Sequence, residues 1–186
     1  MTRIKIIVSV LFVCCTLFSS KRVEKVNIWL IGDSTMAPKS AKAYPELGWG
    51  EGLADYVTNK AKVHNHAVNG RSSLSFINEG RWQAVYDSLQ KGDYVIIQFG
   101  HNDEKTDSAR HTEPFGSFKQ NIQKFIDEAR KKGAIPMGPE KSKDIFLFTD
   151  SKQDSTHLNV AGAGIVAGLF VEEAKAQRLP IATVFK

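Results

Sequence analysis

Four short polar segments carry the residues able to do chemistry. Gly32-Asp33-Ser34-Thr35 follows the apolar run Val26–Ile31, Asn69-Gly70-Arg71-Ser72-Ser73 follows a second β-rich run, Gly100-His101-Asn102-Asp103 follows a third, and Asp154 and His157 stand three apart before the last apolar stretch. A hydroxyl becomes a useful nucleophile only when a base takes its proton and a sharp turn exposes it. Ser34 has that placement, with Gly32 free to turn the chain out of a strand and the Ser34 backbone N–H available to a developing oxyanion. Acyl transfer builds negative charge on a carbonyl oxygen, and preorganised donors aimed at it are usually the largest catalytic contribution. The Gly70 N–H and the Asn102 side-chain amide are suitable donors. A histidine with a carboxylate partner is the natural base, and on one helical turn Asp154 and His157 would share a side. Read singly, each has a plain alternative: a polar turn for Asp33–Thr35 and for Gly70, a cap or turn for Asn102, and a helix cap at Asp154 with a solvated His157.

These loops need a scaffold that brings them together. Strand candidates are Val26–Ile31, Lys62–Ala67, Tyr94–Phe99 and Ala134–Met137. Helix candidates are Gly50–Lys60, Arg81–Leu89, Phe115–Lys132, with Phe118, Ile122, Phe125, Ile126 and Ala129 on one face, and Val160–Gln177, with Ile165, Val166, Leu169 and Phe170 inward. Strands alternating with helices point to a parallel sheet covered by helices. In such sheets ligands bind at the carboxyl ends of the strands, where three of the four polar segments fall.

A chain of 186 residues suits one domain. The formal charge of +5 is modest and interleaved with acids, which argues against a nucleic-acid partner. Arg3 and Lys5 before the apolar run Ile6–Phe18 read as an export signal over residues 1–20, too short for a membrane span. Export then gives a secreted or periplasmic protein, with no membrane association after signal removal. Cys14 and Cys15 lie inside that segment, so the remaining chain, 21–186, has no thiol nucleophile, disulfide or cysteine metal site. His64 and His66 share a strand face at metal-ligand spacing, but no third ligand is evident, and no metal or cofactor is expected. No Walker or dinucleotide glycine pattern is present.

Taken together, IWLIGDSTM, GWGEGL, NHAVNGRSSLSFINEGRW, KGDYVIIQFGHNDEK and DSTHLNVAGA resemble the SGNH (GDSL) hydrolase superfamily, in particular its rhamnogalacturonan acetylesterase-like branch. The resemblance implies a flavodoxin-like three-layer α/β/α sandwich, with parallel strands in the order 2-1-3-4-5, over residues 21–186. It implies Ser34 as nucleophile, Ser34, Gly70 and Asn102 as oxyanion donors, and Asp154 and His157 as the base pair, acting without metal or cofactor on an acetylated cell-wall polysaccharide. Arg71 and Trp82 are candidates to line the sugar-binding cleft, with Trp82 equally a core residue.

One departure stands out. A strand, helix and strand unit takes about 30 residues or more, yet only sixteen separate Met137 from Asp154. The expectation is an internal deletion near 137–138 that removes the fifth strand and part of the fourth, with Ile145–Phe148 as a surrogate strand. That deletion motivates a second reading, a non-catalytic or impaired carbohydrate-binding protein, and a change of substrate to lipid or thioester is a third.

Overall fold

A computed structural model of the chain describes residues 25–137, 146–149, 152–158 and 160–186, with side chains over 25–136, at 158 and 160, and over 163–186. The expected export signal lies outside the described residues. The β-branched and aromatic run at the start of the domain forms β1 (Val26–Gly32), which leads through the nucleophile loop to a short helix, α1 (Trp49–Gly52). Next come β2 (Ala61–Asn65), α2 (Ser73–Asn78), α3 (Arg81–Ser88), β3 (Tyr94–Gln98), α4 (Lys119–Lys131) and β4 (Ile135–Met137). A hairpin of β5 (Phe146–Thr149) and β6 (Lys152–Leu158) precedes α5 (Val160–Ala176). The first four strands make one parallel sheet in the order β2-β1-β3-β4.

Alternation along the central strands builds the three layers. Ile28 and Leu30 of β1, with Tyr94 and Ile96 of β3, face a core shared with α1 and α5. Trp29 and Ile31, with Val95 and Ile97, face the other core, closed by Phe76, Trp82, Val85 and Phe125. Period-two alternation with both faces buried is what a central parallel strand requires. Asp93 locks the sheet's lower end: its carboxylate accepts from the Trp29 indole at 2.9 Å, the Gln90 N–H at 3.0 Å and the Asn27 side chain at 3.0 Å.

Several expectations shift for identifiable reasons. The second strand stops at Asn65, whose side chain accepts from the Ala67 N–H at 3.1 Å and donates to the Met36 carbonyl at 2.9 Å, turning the chain. The helix expected over Gly50–Lys60 is only α1 continued by a 3-10 turn, Leu53–Tyr56. Helix α2 was not anticipated; Ser72 caps it, accepting from the Ser75 N–H at 3.1 Å while the Ser75 hydroxyl accepts from the Ser72 N–H at 2.9 Å. In α5, Ile165 and Leu169 are exposed, at 50% and 41%, and the buried ridge is Ala163, Ala167, Val171 and Ala174. Small residues win there because the helix lies close to its neighbours: a Cβ on Gly52 would come within 3.0 Å of the Ala163 carbonyl oxygen, and Tyr56 Oη donates to the Gly164 carbonyl at 3.2 Å.

Among the described residues the sheet ends at the three-residue β4, without a fifth strand. The surrogate expected at 145–148 does form a strand, β5, but it pairs antiparallel with β6, not with β4. Only eight residues separate β4 from β5, too few for the dozen or more of a parallel crossover, and β5 turns back on β6 as a hairpin instead.

The nucleophile loop rests on the start of α1. A Cβ on Gly48 would sit 2.0 Å from the Ala37 carbonyl oxygen and 2.7 Å from that of Met36. Both are backbone atoms that cannot rotate away. Gly48→Ala is therefore expected to cost at least about 2 kcal/mol and to lower the thermal midpoint by roughly 5 °C or more, read by circular dichroism melting.

Candidate active site

Ser34 sits just beyond the last residue of β1 and is 6% exposed. Its turn is held by Asp33, whose Oδ1 accepts from the Thr35 N–H at 3.0 Å, the Thr35 hydroxyl at 2.9 Å and the Gln98 amide at 3.0 Å. Because Gln98 ends β3, this cluster fastens the nucleophile loop to the neighbouring strand. The single Thr35 hydroxyl proton is shared between Asp33 Oδ1 and Gln98 Oε1, the latter at 2.7 Å.

The second loop bends at Gly70, where φ is +76° and a Cβ would meet nothing within 4 Å. The glycine is thus required by conformation, not by crowding. Asp103 ties this loop to the third: its carboxylate accepts from the Ser73 N–H at 3.0 Å, the Ser73 hydroxyl at 2.5 Å and the Thr112 hydroxyl at 3.1 Å. Burial pushes the Asp103 carboxyl above the usual carboxylate range, and the donors from Ser73 and Thr112 oppose that shift.

Asn102 is 4% exposed, and Arg110 Nη1 donates to its Oδ1 at 3.3 Å. Arg110 is itself gripped by Asp107, with Nε at 2.9 Å and Nη2 at 2.7 Å from Oδ2. This orients the amide so that Nδ2 faces away from the guanidinium, and Nδ2 is buried with no hydrogen-bond partner. Such an orphan is costly in a folded protein unless it serves a ligand. A cleft lined by Gly100, Asp103, Glu104, Thr112, Pro114 and Phe118 opens beside this loop.

Asp154 and His157 lie on β6, an extended strand, and not on the helical turn expected of them; Asp154 is in register with Leu147 of β5. Their side chains lie outside the described residues. The end of that strand is fastened to the nucleophile side of the molecule: the Leu47 N–H donates to the Leu158 carbonyl at 3.1 Å, and the Val160 N–H to the Pro45 carbonyl at 3.1 Å. Leu158 is buried in the core shared by α1 and α5.

The two cleft candidates diverge. Trp82 is 2% exposed, packs edge-on against Phe125 and donates its indole N–H to Glu128, so it is core and not a cleft wall. Arg71 is surface-accessible, with Nε donating to Glu79 Oε2 at 3.1 Å and Nη1 to the Asn69 carbonyl at 2.9 Å. His64 stacks on Trp29 at 4.3 Å with Nε2 3.0 Å from Asn27 Oδ1, which accounts for it within the sheet face. Residues not singled out from sequence are Lys39, Gln98, Asp103 and Arg110. Asp103 and Arg110 lie in or just after the GHND segment, whereas nothing in local spacing points to Lys39.

Residues 30–150 match the model of the GDSL-like lipase/acylhydrolase family. The chain is 30% identical over 219 residues to the rhamnogalacturonan acetylesterase RhgT of Bacillus subtilis, covering 85% of this chain and 93% of that protein. An alignment longer than this 186-residue chain means that the relative carries residues opposite gaps here, as an internal deletion requires. It is also 39% identical over 112 residues to the probable rhamnogalacturonan acetylesterase YesY of the same organism, covering 60% of this chain and 51% of that one. Among solved structures, the YxiM protein of Bacillus subtilis superposes with a TM-score of 0.70 at 23% identity, over 84% of this chain and 58% of that one, a likeness of fold. With the three loops at the strand ends and the parallel sheet that carries them, the chain belongs to the GDSL-like lipase/acylhydrolase family and is a carboxylic ester hydrolase.

Proposed function

We propose that this chain is an exported acetylesterase acting on an acetylated cell-wall polysaccharide such as rhamnogalacturonan, through an acyl-enzyme on Ser34. The observation that carries the proposal is the buried, unpartnered Asn102 Nδ2 at the same sheet end as Ser34 and the left-handed Gly70. Those three donors suit an oxyanion. The names of the two acetylesterase relatives support the acyl group and the polysaccharide.

In this reading His157, its tautomer fixed by Asp154, takes the Ser34 proton as Oγ attacks the acetyl carbonyl carbon. Negative charge collects on the carbonyl oxygen, held by the N–H groups of Ser34 and Gly70 and by Asn102 Nδ2. Collapse breaks the ester bond, and His157 returns the proton to the departing sugar oxygen. A water, deprotonated by His157, then attacks the acetyl-enzyme; acetate leaves and Ser34 regains its proton. In this reading Arg71, next to Gly70, meets the polysaccharide, and Phe115, 97% exposed next to the cleft residue Pro114, offers a flat apolar face for a sugar ring.

Acetate release from acetylated pectic oligosaccharides, measured beside turnover of an aryl acetate and an aryl laurate, tests the reading. The expectation is release from the oligosaccharide and a strong preference for the short acyl group. Preference for laurate would favour a lipase, and a folded protein inert to all three would favour a non-catalytic sugar-binding role.

A further inference from the structure

One buried cation lies beside the nucleophile and takes no part in the steps above. The Lys39 side chain is only 3% exposed, and its ammonium makes three contacts. It donates to the Ser34 carbonyl at 2.5 Å, to Asn69 Oδ1 at 3.0 Å and to Glu46 Oε1 at 2.8 Å. An ammonium has three donors, so each goes to a different segment and none is left for a substrate carboxylate. The main chain at Lys39 is pinned as well, its N–H donating to Glu51 Oε2 at 2.9 Å.

Each partner is next to something the reaction needs. Ser34 is the proposed nucleophile and Asn69 precedes the oxyanion glycine. Glu46 stands between Pro45 and Leu47, the two residues whose backbones bond Val160 and Leu158, immediately after His157. We propose that Lys39 is a positioning residue: its ammonium joins the nucleophile loop, the oxyanion loop and the loop that receives the Asp154–His157 strand, and so sets their mutual spacing. This rests on the reading of Ser34 as nucleophile. A displacement of about 1 Å among reacting groups costs on the order of 100-fold in rate. Stability alone does not explain the arrangement, because a buried ion pair replaced by apolar residues of similar volume is often neutral or stabilising.

The last point supplies the test. The double variant Lys39→Met/Glu46→Leu removes both charges of the pair together, and Lys39→Gln keeps donors for Ser34 and Asn69. Thermal midpoint, kcat and KM for an aryl acetate are measured for both beside wild type and Ser34→Ala. The expected result is a double variant that melts within a few degrees of wild type, with kcat down roughly 30- to 100-fold and KM within about 3-fold, and a Lys39→Gln variant that recovers part of kcat. A folded double variant with kcat within twofold of wild type overturns the proposal, as does a loss confined to KM. If wild type turns over and Ser34→Ala does not, either of those results counts against Lys39 alone; an inert wild type overturns the Ser34 reading and this one together.

Discussion

Ser34→Ala is expected to lower kcat/KM for an aryl acetate by roughly four orders of magnitude or more while leaving the melting temperature within a degree or two of wild type. The side chain contributes one hydroxyl, and the hydrogen bonds that hold its turn are made by Asp33, Thr35 and Gln98. The Ser34 carbonyl bonded by Lys39 is backbone, so the substitution leaves that contact in place. The variant therefore keeps the bonds of the turn to Gln98 and the contact with Lys39, and loses the nucleophilic hydroxyl. Residual hydrolysis above the rate in water would come from the oxyanion donors, which remain.

Asn102→Ala is the second large effect, a loss of about 100- to 1000-fold in kcat with KM changed little. Nδ2 has no partner in the protein, so the one internal hydrogen bond the substitution removes is the 3.3 Å contact of Arg110 with Oδ1, and Arg110 stays held by Asp107. What disappears is stabilisation realised only when the carbonyl oxygen acquires charge, and that appears in kcat. Asn102→Asp sharpens the point: it keeps the shape and the acceptor for Arg110 but sets an acceptor where the donor stood. It should be at least as damaging as Ala. Steady-state kinetics on a soluble aryl acetate, with melting curves to verify folding, measures both.

What could be read from the sequence was the part that is local. The runs that became β1 and β3 are apolar on both faces, and each ends in a glycine-bearing polar segment, so the positions of Ser34 and Asn102 at strand ends follow from pattern alone. Gly70 is similar, since a polar turn after a strand needs a residue that tolerates positive φ. Of the four bulky residues expected inward in α5, Val166 and Phe170 pack against the core, whereas close helix packing selects Ala163 and Ala167 for the buried ridge and leaves Ile165 and Leu169 outside. Trp82 was read as either cleft or core, and only the packing against Phe125 decides for core. Lys39 was invisible because its partners, Glu46 and Asn69, are brought to it by the fold and by no periodicity.

The missing strand also changes meaning once the backbone is seen. A shortened chain motivates the reading of an impaired protein. Yet the segment just after His157 is bonded to Pro45 and Leu47, in the loop that follows Ser34, and is anchored in the core through Leu158. Among the described residues β4 is the edge of the sheet, with Ile135 37% exposed, and that edge is separated from Ser34 by β3. The deletion falls on the side of the sheet away from β1 and β2.

On the proposed function, Ser34 is an activated nucleophile in this shortened fold. Incubating the folded protein with a fluorophosphonate and identifying the modified peptide by mass spectrometry tests it directly. A stoichiometric phosphonyl adduct on Ser34 is expected, absent in Ser34→Ala and slowed in the Lys39→Met/Glu46→Leu variant. A folded, monodisperse protein that carries no adduct, or carries it on another residue, would contradict it.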